Sequence, residues 1–350
     1  FPLHTRIPLF PLIKDNHLLL HKFIEMAKIL GMGNALVDIM TPIPDDAILE
    51  ELELPKGSMQ LVNLERSGRV LKATDHLERQ LASGGSAANT IYGLARLGIE
   101  TAFIGKIGRD EFGEAFRDGL LKSGIEPMLL YSDIHSGRAV ALISKDTERT
   151  FATHLGAAVE LSAEDLHSEQ FKGYDIFHIE GYLVQNHDLL KKAVTLAKEN
   201  NLKVSIDMAS YNVVEENIEF LKSIVYDYVD ILFANEEEAK AFTGLEPRQA
   251  LDILASQCDI AIVKVGSQGS LVKQGEQFHK VEALPVTSVD TTGAGDLYAS
   301  GFLYGLTRNY PLDKCGSLGS LLAGKTIEVI GPKMNEQGWK NILNAINSNN

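Results

Sequence analysis

The chain is poor in cysteine, short of positive charge and free of long apolar runs. Cys258 and Cys315 are its only cysteines, and neither stands at a metal-ligand spacing. So low a count excludes a disulfide-stapled scaffold and fits a reducing compartment, so the expected location is cytoplasmic. Lys and Arg number 33 against 47 Asp and Glu, a formal net charge of -14. That balance argues against nucleic acid or an anionic membrane as a general partner, although a few local donors can still hold a phosphate. No apolar stretch reaches the roughly 20 residues of a membrane-spanning helix. What remains is an ordinary globular composition. With 350 residues, 45% of them hydrophobic, the chain can bury the core of one large domain or two modest ones.

Residues 1–25 read differently from the rest. Prolines stand at positions 2, 8 and 11 among scattered apolar residues, and Met26 opens directly into a strand-like run. The segment is set apart as an N-terminal extension of uncertain status. Its Leu18-Leu19-Leu20 core is too short for a signal peptide and lies between His17 and His21.

From residue 27 onward strands and helices alternate. Strands are expected at Lys28–Met32, Thr101–Ile104, Asp175–Ile179, Lys203–Asp207, Val229–Phe233 and Ala261–Val265. Helices are expected at Ser86–Leu97, Asp110–Lys122, Asp188–Asn200 and Glu236–Phe242, with two or three more in the last third. Such repeats imply a mostly parallel sheet covered on both faces, a three-layer α/β/α sandwich. Residues 41–74 and 129–154 break the rhythm with short alternating strands. They read either as a small β-sheet lid over the carboxyl ends of the parallel strands or as plain surface hairpins. The core is then 26–40, 75–128 and 155–350.

The most informative stretch is Asp290-Thr-Thr-Gly-Ala-Gly-Asp296, which runs into a helix. Gly293, Ala294 and Gly295 let the backbone turn sharply, and the first N–H groups of a helix have no partners of their own. Together with the helix dipole they form an anion site. Asp296 inside that site suits the removal of a proton from a hydroxyl that then attacks the anion, which suggests phosphoryl transfer. An N-terminal turn whose Asp merely favours the helix start is the alternative.

Other constellations carry a functional and a plain reading each. Gly31-Met-Gly-Asn34, leading to Asp38, lacks the third glycine of a dinucleotide fingerprint. It reads as polar contacts to hydroxyls or as turn chemistry. Ser83-Gly84-Gly85-Ser86 and Asn89 suit a flat polyhydroxy ligand or an ordinary capped helix start. Asn235 and Glu238 either hold water around Mg²⁺ or form a capping box. Lys264, Gly266 and Gly269 end a strand in a phosphate-sized turn or in a hairpin. Gly319 to Thr326 matches the letters of a phosphate-binding P-loop. Its neighbours Leu318, Leu321, Leu322 and Ile327 fall at helical spacing, so the match is read as a decoy.

Taken together, the motifs resemble the ribokinase-like (PfkB) family of carbohydrate and nucleoside kinases over about residues 27–340. Gly84 to Gly98 and Asp290 to Gly301 match its two signatures, with Asn-x-x-Glu between them. Gly31 to Asp38, Tyr228 to Phe233 and Glu148-Arg149-Thr150 are most similar to the adenosine kinase branch. The resemblance implies an ATP-dependent kinase acting on a primary hydroxyl, the 5′-OH if the substrate is a nucleoside. It implies Asp296 as base, Gly293–Asp296 as the anion hole, and Asn34, Asp38, Gly84, Gly85 and Asn89 around the sugar. Arg149 would reach the transferred phosphate, Phe151, Leu155 and Tyr182 a nucleobase, and Asn235, Lys264, Gly266, Gly269 and Thr292 the ATP. Glu238 would hold Mg²⁺ through water, with Asp290 and Thr292 taking a monovalent cation such as K⁺. Glu180 departs from the adenosine kinase pattern toward sugar kinases, so it is read as a substrate contact. A sugar kinase and a non-catalytic nucleoside sensor are the competing readings, and monomer or homodimer is left open.

Overall fold

The computed structural model describes residues 27–146 and 148–348; the N-terminal extension lies outside them. Fourteen strands occur among the described residues. They are β1 (Ile29–Met32), β2 (Leu36–Pro42), β3 (Met59–Leu61), β4 (Gln80–Gly84), β5 (Thr101–Gly108), β6 (Ile125–Ser132) and β7 (Gly137–Ile143), then β8 (Arg149–His154), β9 (Ile176–Glu180), β10 (Lys203–Asp207), β11 (Ile231–Asn235), β12 (Ile260–Lys264), β13 (Ser270–Gln274) and β14 (Gln277–Val281). Nine of them form one sheet in the order β14-β13-β12-β11-β10-β9-β1-β5-β6. The seven strands from β12 to β6 pair in parallel, and the β13–β14 hairpin closes one edge antiparallel.

Strand alternation sends side chains to two cores. Ile29, Ile231 and Phe233 pack with the helices Ser86–Arg96, Ala294–Thr307 and Leu312–Thr326 on one face. Leu30, Leu232 and Ala234 pack with His187–Glu199, Ile218–Tyr228 and Pro247–Leu254 on the other. Buried on both faces, β1 and β9 read as continuous burial rather than alternation. The result is the three-layer sandwich that the repeats imply.

The smaller sheet has the order β3-β8-β7-β2-β4. It corrects the boundaries drawn from the sequence. β2 and β4 belong to it, although residues 36–40 and 80–84 were assigned to the core. Conversely, residues 129–132 belong to β6, the edge of the large sheet. The reason is visible in the chain path: only Gly33–Ala35 separate β1 from β2, too short a link to carry a polarity signal.

The strand order turns back at β1, with β9 on one side and β5 on the other, and a crevice forms there at the carboxyl ends. The loop after β1 carries Asn34, and β9, β10, β11 and β12 end on Glu180, Asp207, Asn235 and Lys264. Every sheet-borne polar residue of interest thus sits at one end of the sheet.

The P-loop-like letters lie inside the helix Leu312–Thr326. A Cβ on Gly319 would stand 2.9 Å from the Tyr298 ring and one on Gly324 2.7 Å from Leu284, so both glycines serve packing. The same holds at Gly301, where a Cβ would come within 2.4 Å of the Leu318 carbonyl oxygen. Alanine in place of a helical glycine gains about 1 kcal/mol of propensity. Here the added methyl meets a neighbouring backbone, and overpacking costs about 1–3 kcal/mol. Gly301→Ala should therefore lower the melting temperature; an increase would show that the helix pair can slide apart.

Candidate active site

Gly293 caps the helix Ala294–Thr307 in the left-handed conformation, φ 76°. A side chain there would be strained and would also strike Pro332 at 2.4 Å. The helix therefore starts abruptly: the Gly293, Gly295 and Asp296 N–H groups have no partner among the described residues, whereas the Ala294 N–H, expected in the anion hole, donates to the Thr291 carbonyl oxygen at 3.2 Å. Asp296 stands in the first turn. Its Oδ1 accepts from the Ser86 hydroxyl at 2.7 Å and its Oδ2 from Asn89 Nδ2 at 3.0 Å. Burial pushes this carboxyl up to about 6, against the pull of those two donors. A base poised near neutrality is what proton removal from a hydroxyl needs.

A second constellation lies under the glycines. Glu180 is 1% exposed. Its Oε1 accepts from the Asn34 backbone N–H at 2.9 Å and from Asn34 Nδ2 at 2.7 Å, and its Oε2 accepts from the Ala87 N–H at 3.1 Å. A Cβ on Gly33 would lie 2.4 Å from this carboxylate. Glu180 is thus a clamp between the loop after β1 and the start of the helix Ser86–Arg96, which corrects its reading as a substrate contact. Burial raises its carboxyl to about 7. The geometry explains Gly85 as well: its φ is 95°, and a Cβ would lie 2.4 Å from the Asn34 carbonyl oxygen.

Asp38 sits over Gly84, where a Cβ would be 2.3 Å from the carboxylate. Burial raises Asp38 to about 6, opposed by Lys333 and Arg149. Lys333 donates to Ser83 and lies 4.9 Å from the Tyr92 ring centroid, and burial lowers its amine to about 8. Arg149, from β8, has Nη2 2.6 Å from Asp290 Oδ2 and Nη1 3.2 Å from the Thr292 hydroxyl. The smaller sheet is thereby tied to the anion loop. Asp290 also accepts from the Gly331 N–H at 2.7 Å. With a guanidinium already against it, Asp290 is not arranged for the monovalent cation expected there. Asn89 Oδ1 and Arg149 Nε are buried with no hydrogen-bond partner among the described residues.

The third constellation lines a cavity of about 410 Å³ with Asp207, Asn235, Glu238, Lys264, Gly266, Gly295 and Asp296 on its wall. Asn235 and Glu238 form the capping box in full. Asn235 Oδ1 accepts from the Glu238 N–H at 2.8 Å, and Glu238 Oε2 from the Asn235 N–H at 2.7 Å. Burial raises the Glu238 carboxyl, with Lys264 opposing. No three His, Cys, Asp or Glu among the described residues form a metal cage. The donor set fits Mg²⁺, which keeps several waters and takes most of its other ligands from phosphates. Gly266 is open to the cavity, but Gly269 is not a phosphate contact: a Cβ there would lie 1.9 Å from the Val281 carbonyl oxygen, in the β13–β14 hairpin.

A larger cavity of about 620 Å³ begins at Asn34 and is lined by Leu155, Val159, Tyr182 and Gln185, among others. Phe151, expected beside a nucleobase, lies instead against Met40, Ala141 and Ile143 within the smaller sheet.

Residues 63–337 match the pfkB family of carbohydrate kinases. This chain belongs to that family. Its members are phosphotransferases acting on hydroxyl groups, and so is this protein. The chain is similar to the solved structure of adenosine kinase from Sinorhizobium meliloti, with a TM-score of 0.81 and 33% identity over 93% of this chain and 100% of that one. It is 28% identical to the adenosine kinase of Saccharomyces cerevisiae over 87% of this chain and 96% of that protein. It is also 28% identical to a 5-dehydro-2-deoxygluconokinase of Clostridium perfringens over 70% of this chain and 78% of that protein. The family's kinase chemistry is common to these relatives; their acceptors differ.

The structure gathers Asp296, Gly293, Ala294, Gly295, Asn89, Asn235, Glu238 and Lys264 around one crevice and brings Arg149, Thr292, Asp38 and Gly84 to its rim. Sequence reasoning missed Asp207 and Lys333. Asp207 ends a strand, as Glu180 does, which was the one available signal; Lys333 carries no local pattern at all. The two turn glycines can be separated by experiment. Both have positive φ, 55° at Gly266 and 90° at Gly269, so alanine is strained at either, at about 1–3 kcal/mol; Gly269→Ala should lower the denaturation midpoint more than Gly266→Ala because it alone also strikes a backbone carbonyl. Equal effects would contradict the packing role of Gly269.

Proposed function

We propose that this protein transfers the γ-phosphate of ATP to the 5′-hydroxyl of a ribonucleoside, with adenosine or a related nucleoside as the acceptor. The observation that carries the nucleoside reading is the large cavity at Asn34. A free sugar would leave most of its 620 Å³ unfilled, and Leu155, Val159 and Tyr182 offer apolar surface to a base. Asn89 Oδ1 supports a hydroxyl donor nearby, and Arg149 Nε supports an anion.

In this reading the acceptor oxygen attacks the γ-phosphorus in line. The new O–P bond forms as the bond from the γ-phosphorus to the bridging oxygen breaks, the hydroxyl proton passes to Asp296, and ADP leaves. The N–H groups of Gly293, Gly295 and Asp296, together with Arg149, offset charge on the phosphoryl oxygens, while the Ala294 N–H is taken by the Thr291 carbonyl oxygen. Mg²⁺, held through water at Asn235 and Glu238, supplies charge neutralisation when bound. The smaller sheet acts as a lid that limits water and so limits ATP hydrolysis.

A specific observation favours a second reading. Arg149 and Lys333 set two cations around Asp38, an arrangement that could take the carboxylate of a sugar acid. ADP release with Mg-ATP against adenosine, inosine, cytidine, ribose and a keto-deoxy sugar acid decides between the two. Turnover with the acid alone would remove the nucleoside reading. Asp296→Asn should reduce turnover by at least the 10²–10⁴-fold typical of a lost general base, ~10³ as a working value, with acceptor binding retained. Because Asp296 must be ionised to act, kcat/KM should fall as pH drops through about 6. A flat profile down to about pH 5, well under that value, would remove Asp296 as the base.

A further inference from the structure

Lys264 and Asp207 form an enclosed ion pair. Lys264 Nζ lies 2.7 Å from Asp207 Oδ2, with side-chain exposures of 16% and 7%. Two charges so enclosed lose hydration that their attraction scarcely returns, and apolar replacements of such pairs are often neutral. The pair is also aimed. It stands on the ends of β10 and β12, on the wall of the cavity that Asp296 shares. A Cβ on Gly295 would be 3.1 Å from the ammonium, so the missing side chain leaves room for the cation beside the anion loop. Among the described residues, the hydrogen bond to Asp207 is the one that the ammonium donates. A lysine has three N–H bonds, and two remain for phosphate oxygens.

We infer that Lys264 is a catalytic cation for the transferring phosphoryl group and that Asp207 is the residue that positions it. This rests on the phosphotransfer reading above and deepens it. Asp207 fixes the ammonium from the floor of the crevice, so Lys264 meets the phosphate without having to be ordered when the nucleotide binds. Asp207 touches neither substrate; it acts through Lys264. A preorganised donor of this kind is worth ~10²–10³ in rate.

The test is a double-mutant cycle on the full chain with Mg-ATP and its best acceptor. Lys264→Met should lower kcat by ~10²–10³ and leave the acceptor KM unchanged, and Lys264→Arg, which keeps the charge, should retain part of the rate. Asp207→Asn should lower kcat in the parent yet cost nothing more when Lys264 is already Met. Losses that multiply in the double variant would make Asp207 independent of Lys264 and overturn the positioning role. A parental kcat in Lys264→Met would overturn the whole inference. Should Asp207→Asn not fold, Asp207→Glu moves the anchor by one methylene and should lower kcat at an unchanged melting temperature; an unchanged kcat there also overturns it. Absence of ATP turnover in the parent protein with every acceptor removes the phosphotransfer reading and this inference with it. That outcome is distinct from any difference among the variants.

Discussion

The site depends on two helix N-termini being held against each other. Ser86–Arg96 and Ala294–Thr307 meet so closely that a Cβ on Gly93 would lie 2.4 Å from the Ser300 hydroxyl oxygen. Thr90 and Ser300 both donate to the Asp296 carbonyl oxygen, and Ser300 also reaches the Thr90 carbonyl. Ser86 and Asn89 then grip the Asp296 side chain. Both helices thus point their positive ends at one place. The Asp296 carboxyl keeps a raised affinity for protons there because desolvation outweighs the donors, while the N–H groups of Gly293, Gly295 and Asp296 have no partner among the described residues. Glu180 fixes the same junction from below by tying Ala87 to Asn34. The base and the anion hole of the proposed reaction would therefore be two consequences of one packing contact.

That arrangement sets the electrostatic demand of the reaction. The 410 Å³ cavity is lined by Asp207, Glu236, Glu237, Glu238 and Asp296, with Lys264 as the cation on its wall. Such a surface would repel a free polyphosphate, since like charges a few ångströms apart in a partly dry site interact by several kcal/mol, ~4 at an effective dielectric near 20. A nucleotide carrying its own divalent cation meets the carboxylates with the opposite sign. The acidity of the cavity, which looks unsuited to a phosphate donor, is what makes a metal-bound donor the fitting one.

The parts legible in the sequence were those whose chemistry is local. The Asp290–Asp296 motif specifies a glycine at positive φ followed by a helix, and the helix begins at Ala294. The apolar runs at Ile29–Met32 and Ile176–Glu180 specify buried parallel strands. Asn235 and Glu238 were legible too, and the capping box they form is compatible with a place on the cavity wall. What escaped was set by tertiary contact. Glu180 looked like a ligand residue because a glutamate at that position resembles sugar kinases; N–H donors from Asn34 and from Ala87 in the helix Ser86–Arg96 hold it instead. Gly269 looked like phosphate chemistry because its obstacle, the Val281 carbonyl, lies twelve residues away in a hairpin. Asp207 and Lys333 matter through partners 57 and 250 residues distant in the chain, and no spacing rule reaches that far.

The division of labour that follows bears on why the relatives act on different acceptors. On the proposed reading, the groups that move the phosphoryl group sit on β10 to β12 and on the helix beginning at Ala294, elements of the large sheet and its cover. On the same reading, the groups that meet the rest of the acceptor sit at Asn34, Asp38, Leu155, Tyr182 and Lys333, on loops, on the smaller sheet and on the short 3₁₀ turn Gly181–Gln185 that follows β9. Only Arg149 belongs to both, since it rises from β8 and binds Asp290 and Thr292 in the anion loop. Changing the rim therefore need not disturb the centre, provided that this one guanidinium keeps its place. A cavity wide enough for a base and a rim with two cations around Asp38 can coexist for that reason: on the proposed reading the acceptor is selected on elements set apart from those that carry the phosphoryl chemistry.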